Sequence, residues 1–210
     1  MRAAINILGW AFRDVWKELW TILIVHLIFL FGNILIILGP PVTVALFFYC
    51  NRIAHDEIAN ERDFLNAIRS YWAPAWRWGF VNLLVIGVLA GDYYLTGKLI
   101  AHADTAHFVQ GLYITLLSIW LLIQIFALPF LFEQEQPLVA QALRNSVIFI
   151  RRNLVFVVIL AVLLLISLTI GVLAFMFTFV FGCALIAFAG NHAVLEHLAN
   201  REVVEQTTST

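Results

Sequence analysis

Gly39-Pro40-Pro41-Val42-Thr43-Val44-Ala45-Leu46 decides how this chain is read. The stretch lies inside a run from Leu19 to Asn51 with no Lys, Arg, Asp or Glu, while one bilayer crossing needs only about 20 apolar residues. The run must therefore turn back. Gly39 has the dihedral freedom to end a helix, Pro40 cannot continue one, and Pro41 suits the first turn of the next, with Thr43 just inside it. The spacing predicts a membrane hairpin with spans at 20–38 and 41–53. The second reaches only about 20 Å at 1.5 Å per residue, so it must tilt little or thin the bilayer.

Composition says the same of the whole chain. Of 210 residues, 63% are hydrophobic and 12% charged, and the mean hydropathy is +0.95; in soluble domains about a quarter of residues are charged. Lipid is the expected solvent, and 1–200 reads as one polytopic membrane domain, because no polar segment is long enough to fold alone. The net charge of -1 excludes a nucleic-acid surface, which needs a basic excess. Cys50 and Cys183 fall in apolar runs and make no disulfide framework, and no cleavable signal peptide is evident.

Outward from the hairpin, 2–17 carries Ile5, Leu8, Phe12, Val15 and Trp16 at helical spacing opposite Arg2, Asn6, Arg13 and Lys17, the pattern of an amphipathic helix lying in the interface. The connection 55–77 holds a second such helix, with Asn60 as its cap, Phe64, Leu65, Ile68 and Trp72 as its stripe, and Pro74 ending it. Spans follow at 78–97 and at 108–132, the latter kinked by Pro129. Glu133 to Arg152 repeats the amphipathic pattern. Asn153 to Leu195 is uncharged and as one helix would be about 65 Å long, so two spans, 154–170 and 172–195, with a reversal near Gly171 fit better. The Thr-rich tail, 201–210, is expected to be disordered.

The fold class is thus an all-α integral membrane protein of about six transmembrane helices in three hairpins, each preceded by a cytoplasmic interfacial amphipathic helix. Sidedness follows from the basic residues. Arg2, Arg13, Lys17, Arg52, Arg62, Arg69, Arg77, Arg144, Arg151, Arg152 and Arg201 fall on one side and Lys98 alone on the other, which places both termini in the cytoplasm; an odd span number would export the tail. Ala11-Phe12-Arg13, Ala67-Ile68-Arg69 and Ala142-Leu143-Arg144 stand at matching places before the three hairpins. They are consistent with three copies of one unit and with chance recurrence of a short motif.

Chemistry-bearing residues are few. Asp92 is an acid inside a span, by default a candidate for ion or proton handling, though Tyr93 and Tyr94 put it near interfacial water. His26 and Asn33, seven apart on one face, could join Asn82, Gln124 and Asn51 in a polar seam that serves packing or transport. His102, Asp104 and His107 lack a fourth ligand for zinc. There is no Gly-rich phosphate loop, no His-Glu-x-x-His pair and no serine or cysteine nucleophile beside a base. No catalytic residue, cofactor or metal is expected.

Asn33, the Gly39–Tyr49 stretch, Asp63-Phe64, the Trp-rich start of the third span, Pro129, Ala142-Leu143-Arg144-Asn145-Ser146 and Asn191-His192-Ala193 together resemble the YesL-like family of bacterial integral membrane proteins. The resemblance covers most of the chain, without the additional proline and Gly-Pro often seen after the threonine. It implies a bacterial cytoplasmic (inner) membrane location, no established activity, and an accessory or assembly role beside a carbohydrate importer. The expected function is therefore a non-enzymatic partner of another membrane complex, or of a second copy. Arg13, Arg69, Trp72, Arg77, Arg144 and Arg152 are its candidate cytoplasmic docking residues. A small-solute or ion transporter is the alternative, and an intramembrane enzyme comes third.

Overall fold

The computed structural model describes residues 2–100, 102–173 and 176–208, with side chains at 2–100, 102–170 and 182–199. Among the described residues there are nine α-helices and no strand: α1 (Arg2–Lys17), α2 (Leu19–Ile34), α3 (Gly39–Ala54), α4 (Glu61–Ser70), α5 (Trp72–Leu99), α6 (Ala103–Phe132), α7 (Val139–Arg152), α8 (Leu154–Leu173) and α9 (Met176–Thr208).

Amphipathic helices precede more apolar ones three times. α1 buries Ala4, Ile7, Ala11 and Val15, spaced three and four apart, and then the chain bends by 91° into α2. α4 buries Phe64 and Ala67 and starts in a capping box, in which the Asn60 side chain accepts from the Asp63 amide and the Asp63 carboxylate from the Asn60 amide. These reciprocal bonds satisfy amides that a helix start leaves unpaired. α7 buries Ala142, Ser146 and Phe149 and meets α8 at 101°.

Among the described residues α5 and α6, with 28 and 30 residues, are the two unbroken helices found to be long and apolar enough to cross a membrane, and up to four crossings result if each bent pair counts as one. Only Ala75 and Thr96 are buried along α5, whereas Phe80, Leu83, Leu84 and Val88 are exposed. Water would penalise that apolar surface heavily; lipid does not. α2 and α3 have 16 residues each, about 24 Å of helix, and so fall short of a 30 Å hydrocarbon layer.

Their joining turn packs against α5. Pro40 packs on Gly79, where a Cβ would come within 2.7 Å of its ring, and Phe48 stacks on Tyr71 at the other end of the pair. α5 runs on from Gly79 to Leu99, about 30 Å beyond the turn. The α2–α3 pair thus ends near the beginning of α5's uncharged stretch, which starts at Trp78, and not beside its far end.

Several local expectations are corrected. α2 ends at Ile34 and not at 38: Leu35 is extended, and Leu38 N–H bonds back to the Leu35 carbonyl at 2.7 Å. Gly39 does not use a left-handed conformation; it opens α3 with Pro40 and Pro41 in the first turn, where a missing N–H costs nothing. Thr43 Oγ1 donates to the Gly39 carbonyl at 2.9 Å and braces that turn. Pro74 does not end α4. The break is at Tyr71, and Pro74 lies in the first turn of α5. Leu65 is half exposed, because buried Phe64 and Ala67 already turn α4's inner face. α8 runs through Gly171, so the chain does not reverse there; residues 174 and 175 lie outside the described residues. Beyond 201 the chain stays helical to Thr208, since nothing from Arg201 to Gln206 breaks a helix; 209–210 lie outside the described residues.

α9 is the hub, touching α1, α2, α3, α6 and α8. Ala184, Ala187, Ala189 and Ala193 are buried along it, and small residues let backbones approach closely without a large apolar driving force. Closest is Gly190, whose absent Cβ would lie 2.5 Å from the Ile125 carbonyl oxygen. That carbonyl is the one Pro129, four residues on and lacking an N–H, cannot satisfy.

Candidate functional site: a buried polar junction and two flanking clefts

The largest polar assembly forms where α1, α3, α6 and α9 converge. α1's buried stripe includes an acid, Asp14, one turn after Ala11, and its Oδ2 lies 2.6 Å from His192 Nε2 of α9. The two residues are 3% and 9% exposed. Arg13 Nε donates to Asp14 Oδ1 at 3.1 Å from the exposed side of α1. Burial pushes the Asp14 carboxyl up; the His192 hydrogen bond and charge, with Arg13 behind them, outweigh it and hold the group below its ordinary value.

Asn191, next along α9, continues the assembly. Its Nδ2 donates to the Ala187 carbonyl at 2.8 Å and towards the Phe47 carbonyl at 3.4 Å, and its Oδ1 accepts from Asn51 Nδ2 at 2.9 Å. The second proton of Asn51 Nδ2 goes to Glu133 Oε1 at 2.9 Å, and His55 Nε2 approaches the same oxygen at 3.0 Å. One carboxylate oxygen at the end of α6 thus gathers the last turn of α3. The linkage from Asn51 to Asn191 and the pair from His192 to Asp14 fasten three elements to α9. Amides cannot relay protons as carboxylates and imidazoles do, so the chain of bonds acts as a clasp.

A second, smaller tie holds α5 to α6. Trp78 Nε1 donates to Gln124 Oε1 at 2.8 Å, Trp120 Nε1 donates to Asn82 Oδ1 at 3.0 Å, and Asn82 Nδ2 donates to the Trp78 carbonyl at 2.9 Å. Both indoles and both amides lie on apolar helices, where a polar group without a partner is expensive.

The polar seam of the sequence reading is therefore divided. Asn82 and Gln124 meet each other, Asn51 belongs to the α9 junction, and Asn33, among the described residues, bonds to the Phe29 carbonyl of its own helix at 2.9 Å. His26 is buried on α2 against Phe29, with ring centroids 5.2 Å apart. Asp92 is half-buried on α5 and forms no hydrogen bond or ion pair with a described residue. None of these side chains lines either of the clefts that flank α7. Among the described residues no three His, Cys, Asp or Glu side chains are grouped to hold a metal, so His102, Asp104 and His107 are not brought together.

Two clefts flank α7. One, of about 640 Å³, opens between α6, α7 and the end of α9 and is lined by Glu133, Glu135, Gln141, Asn145, Arg152 and His197 among others. The other, of about 690 Å³, lies between α5 and α7 and contains Arg77, Val81, Leu138, Leu143, Arg144 and Asn145. Of the docking candidates, Arg77 and Arg144 thus share one wall space, Arg152 lines the opposite cleft, and Arg69 and Trp72 are exposed at the α4–α5 junction. Arg13 is instead engaged with Asp14.

Sequence reasoning missed Asp14, Asn191, His192, His55 and Glu133 as a unit. One signal was present: an acid on the apolar stripe of α1 and a histidine within an uncharged run are each costly alone, and pairing removes both costs. Comparison with protein-family models, with curated proteins and with solved structures finds no match to this chain.

Proposed function

We propose that the chain is a non-enzymatic polytopic protein of a bacterial cytoplasmic membrane that docks against another membrane complex from its cytoplasmic face. The observation carrying this reading is a set of exposed guanidinium groups, Arg69, Arg77, Arg144, Arg151 and Arg152, none paired with a described carboxylate. They project from α4, α5 and α7 around the cytoplasmic ends of the crossing helices, whereas Asp14 is buried against His192 and Glu133 is engaged by His55. Fixed, unneutralised charge on interfacial helices favours a complementary acidic surface or headgroup layer. By its resemblance to the YesL-like family, the complex is a carbohydrate importer.

In this reading the helices make three hairpins with both termini cytoplasmic. α5–α6 is the full-depth pair. Pro40 beside Gly79 supports an α2–α3 hairpin inserted more shallowly than a complete pair of crossings, which keeps every cytoplasmic arginine on the same side as the six-crossing arrangement does. The division of the polar seam into separate ties gives the solute-transporter alternative little support.

Affinity purification in mild detergent tests the proposal. The parent should carry a stoichiometric membrane-protein partner that R69E/R152E loses while still folding; a parent that always runs alone refutes docking.

A further inference from the structure

We infer that the groove between α5 and α7 holds one anionic phospholipid, its phosphate between Arg77 and Arg144 and an acyl chain against Val81, Leu138 and Leu143. The inference rests on the placement of this face at the cytoplasmic leaflet. Three features of the groove point to this ligand.

Charge is the first. Two guanidinium groups from different helices line the cavity, neither engages a described acid, and no carboxylate is among the lining residues. Like charges facing one cleft repel unless an anion lies between them, and guanidinium matches phosphate with paired donors. Amides of Gln141 and Asn145 line the same space and supply further donors for phosphate or ester oxygens.

Depth is the second. Arg77 is the last charge before α5's uncharged stretch, and Val81 lies one helical turn deeper on the same face. Headgroup-seeking and chain-seeking side chains are thus stacked in the order in which a lipid presents its parts. Shape is the third. The groove is partly open, and Val81, Leu138, Val139, Ala140 and Leu143 make most of its wall apolar, which suits an acyl tail; a free inorganic phosphate would leave that wall empty. Basic pockets between membrane helices on the cytoplasmic side are established sites for anionic headgroups. α7 then sits between a lipid in this groove and the polar cleft carrying Arg152, which leaves that cleft and Arg69 for the docking partner.

Native mass spectrometry of the full chain in mild detergent, with phosphatidylglycerol, cardiolipin or phosphatidylcholine added, tests this. The expected result is one retained anionic lipid per chain, little retention of phosphatidylcholine, and affinity lowered about 30-fold in R77Q/R144Q, with R77K/R144K retaining most of it. Equal retention of phosphatidylcholine, displacement of the lipid by millimolar inorganic phosphate, or unchanged retention in R77Q/R144Q overturns the inference. So does photocrosslinking of the groove, from a probe at Ala140, to a protein in place of lipid. Partner capture is scored separately: lipid retention lost with capture intact leaves the docking reading standing, and capture absent with lipid retained leaves this one.

Discussion

Gly190→Ala is the sharpest test of the packing. Its Cβ would lie 2.5 Å from the Ile125 carbonyl oxygen and 3.3 Å from Pro129 Cγ. Ordinary contact is near 3.5 Å, so the helices must part by about 1 Å. The obstacle is backbone, which no rotamer change relieves, and Pro129 stiffens that part of α6. Overpacking of this kind costs about 1–3 kcal/mol. Separation also stretches the bonds of the neighbouring Asn191, of which the one to the Phe47 carbonyl is already 3.4 Å, adding about 1 kcal/mol. A total of about 3 kcal/mol lowers the melting temperature by about 6–12 °C for a chain of this size. Thermal unfolding in detergent, followed by circular dichroism, reads it. Gly87→Ala is the control, because nothing lies within 4 Å of its Cβ, and it should melt with the parent or slightly above. If G190A melts like G87A, the close approach of α9 to α6 is wrong.

Asp14→Ala strands His192 in a buried site and should cost about 3 kcal/mol in the same melt. Because the Asp14 carboxyl lies below its ordinary 3.8 in the folded chain, its contribution is complete above that value and fades as pH falls through the lower folded one; Asp14→Asn should flatten the stability profile at the acidic end, and an unchanged slope refutes the pairing. Asp56 caps α3 with φ 56, in a turn where Glu57 N–H bonds to the Arg52 carbonyl at 3.0 Å. A left-handed residue other than glycine is strained, so Asp56→Gly should stabilise by about 1 kcal/mol, seen as a small rise in melting temperature. Asn82→Leu removes the acceptor of Trp120 Nε1 and should weaken α5–α6 by about 1 kcal/mol with a shift in tryptophan emission; identical emission counts against the tie. In intact cells, single cysteines at Arg69 and Arg144 should react only from the cytoplasmic side, and one at Ile36 should stay closed to a periplasmic reagent; labelling of Ile36 from outside restores complete crossings for α2 and α3.

The amino-acid sequence by itself determined that this chain is helical, with segments apolar enough to cross a membrane. Charge-free runs and 3.6-residue periodicity are local properties, so α1, α4 and α7 as amphipathic helices and the Asn60 cap were legible one segment at a time, whereas the polar seam expected of His26, Asn33, Asn82, Gln124 and Asn51 was not, because which of them meet depends on which helices pack together. Depth was not. That α2 and α3 end beside Gly79 depends on which helix packs on which, and an uncharged run reads alike whether it crosses the bilayer or only enters it. The junction was equally hidden, because Asp14 and His192 stand 178 residues apart and each alone looks like a misplaced polar group. Only tertiary structure brings them within hydrogen-bond reach, where each removes the other's cost of burial.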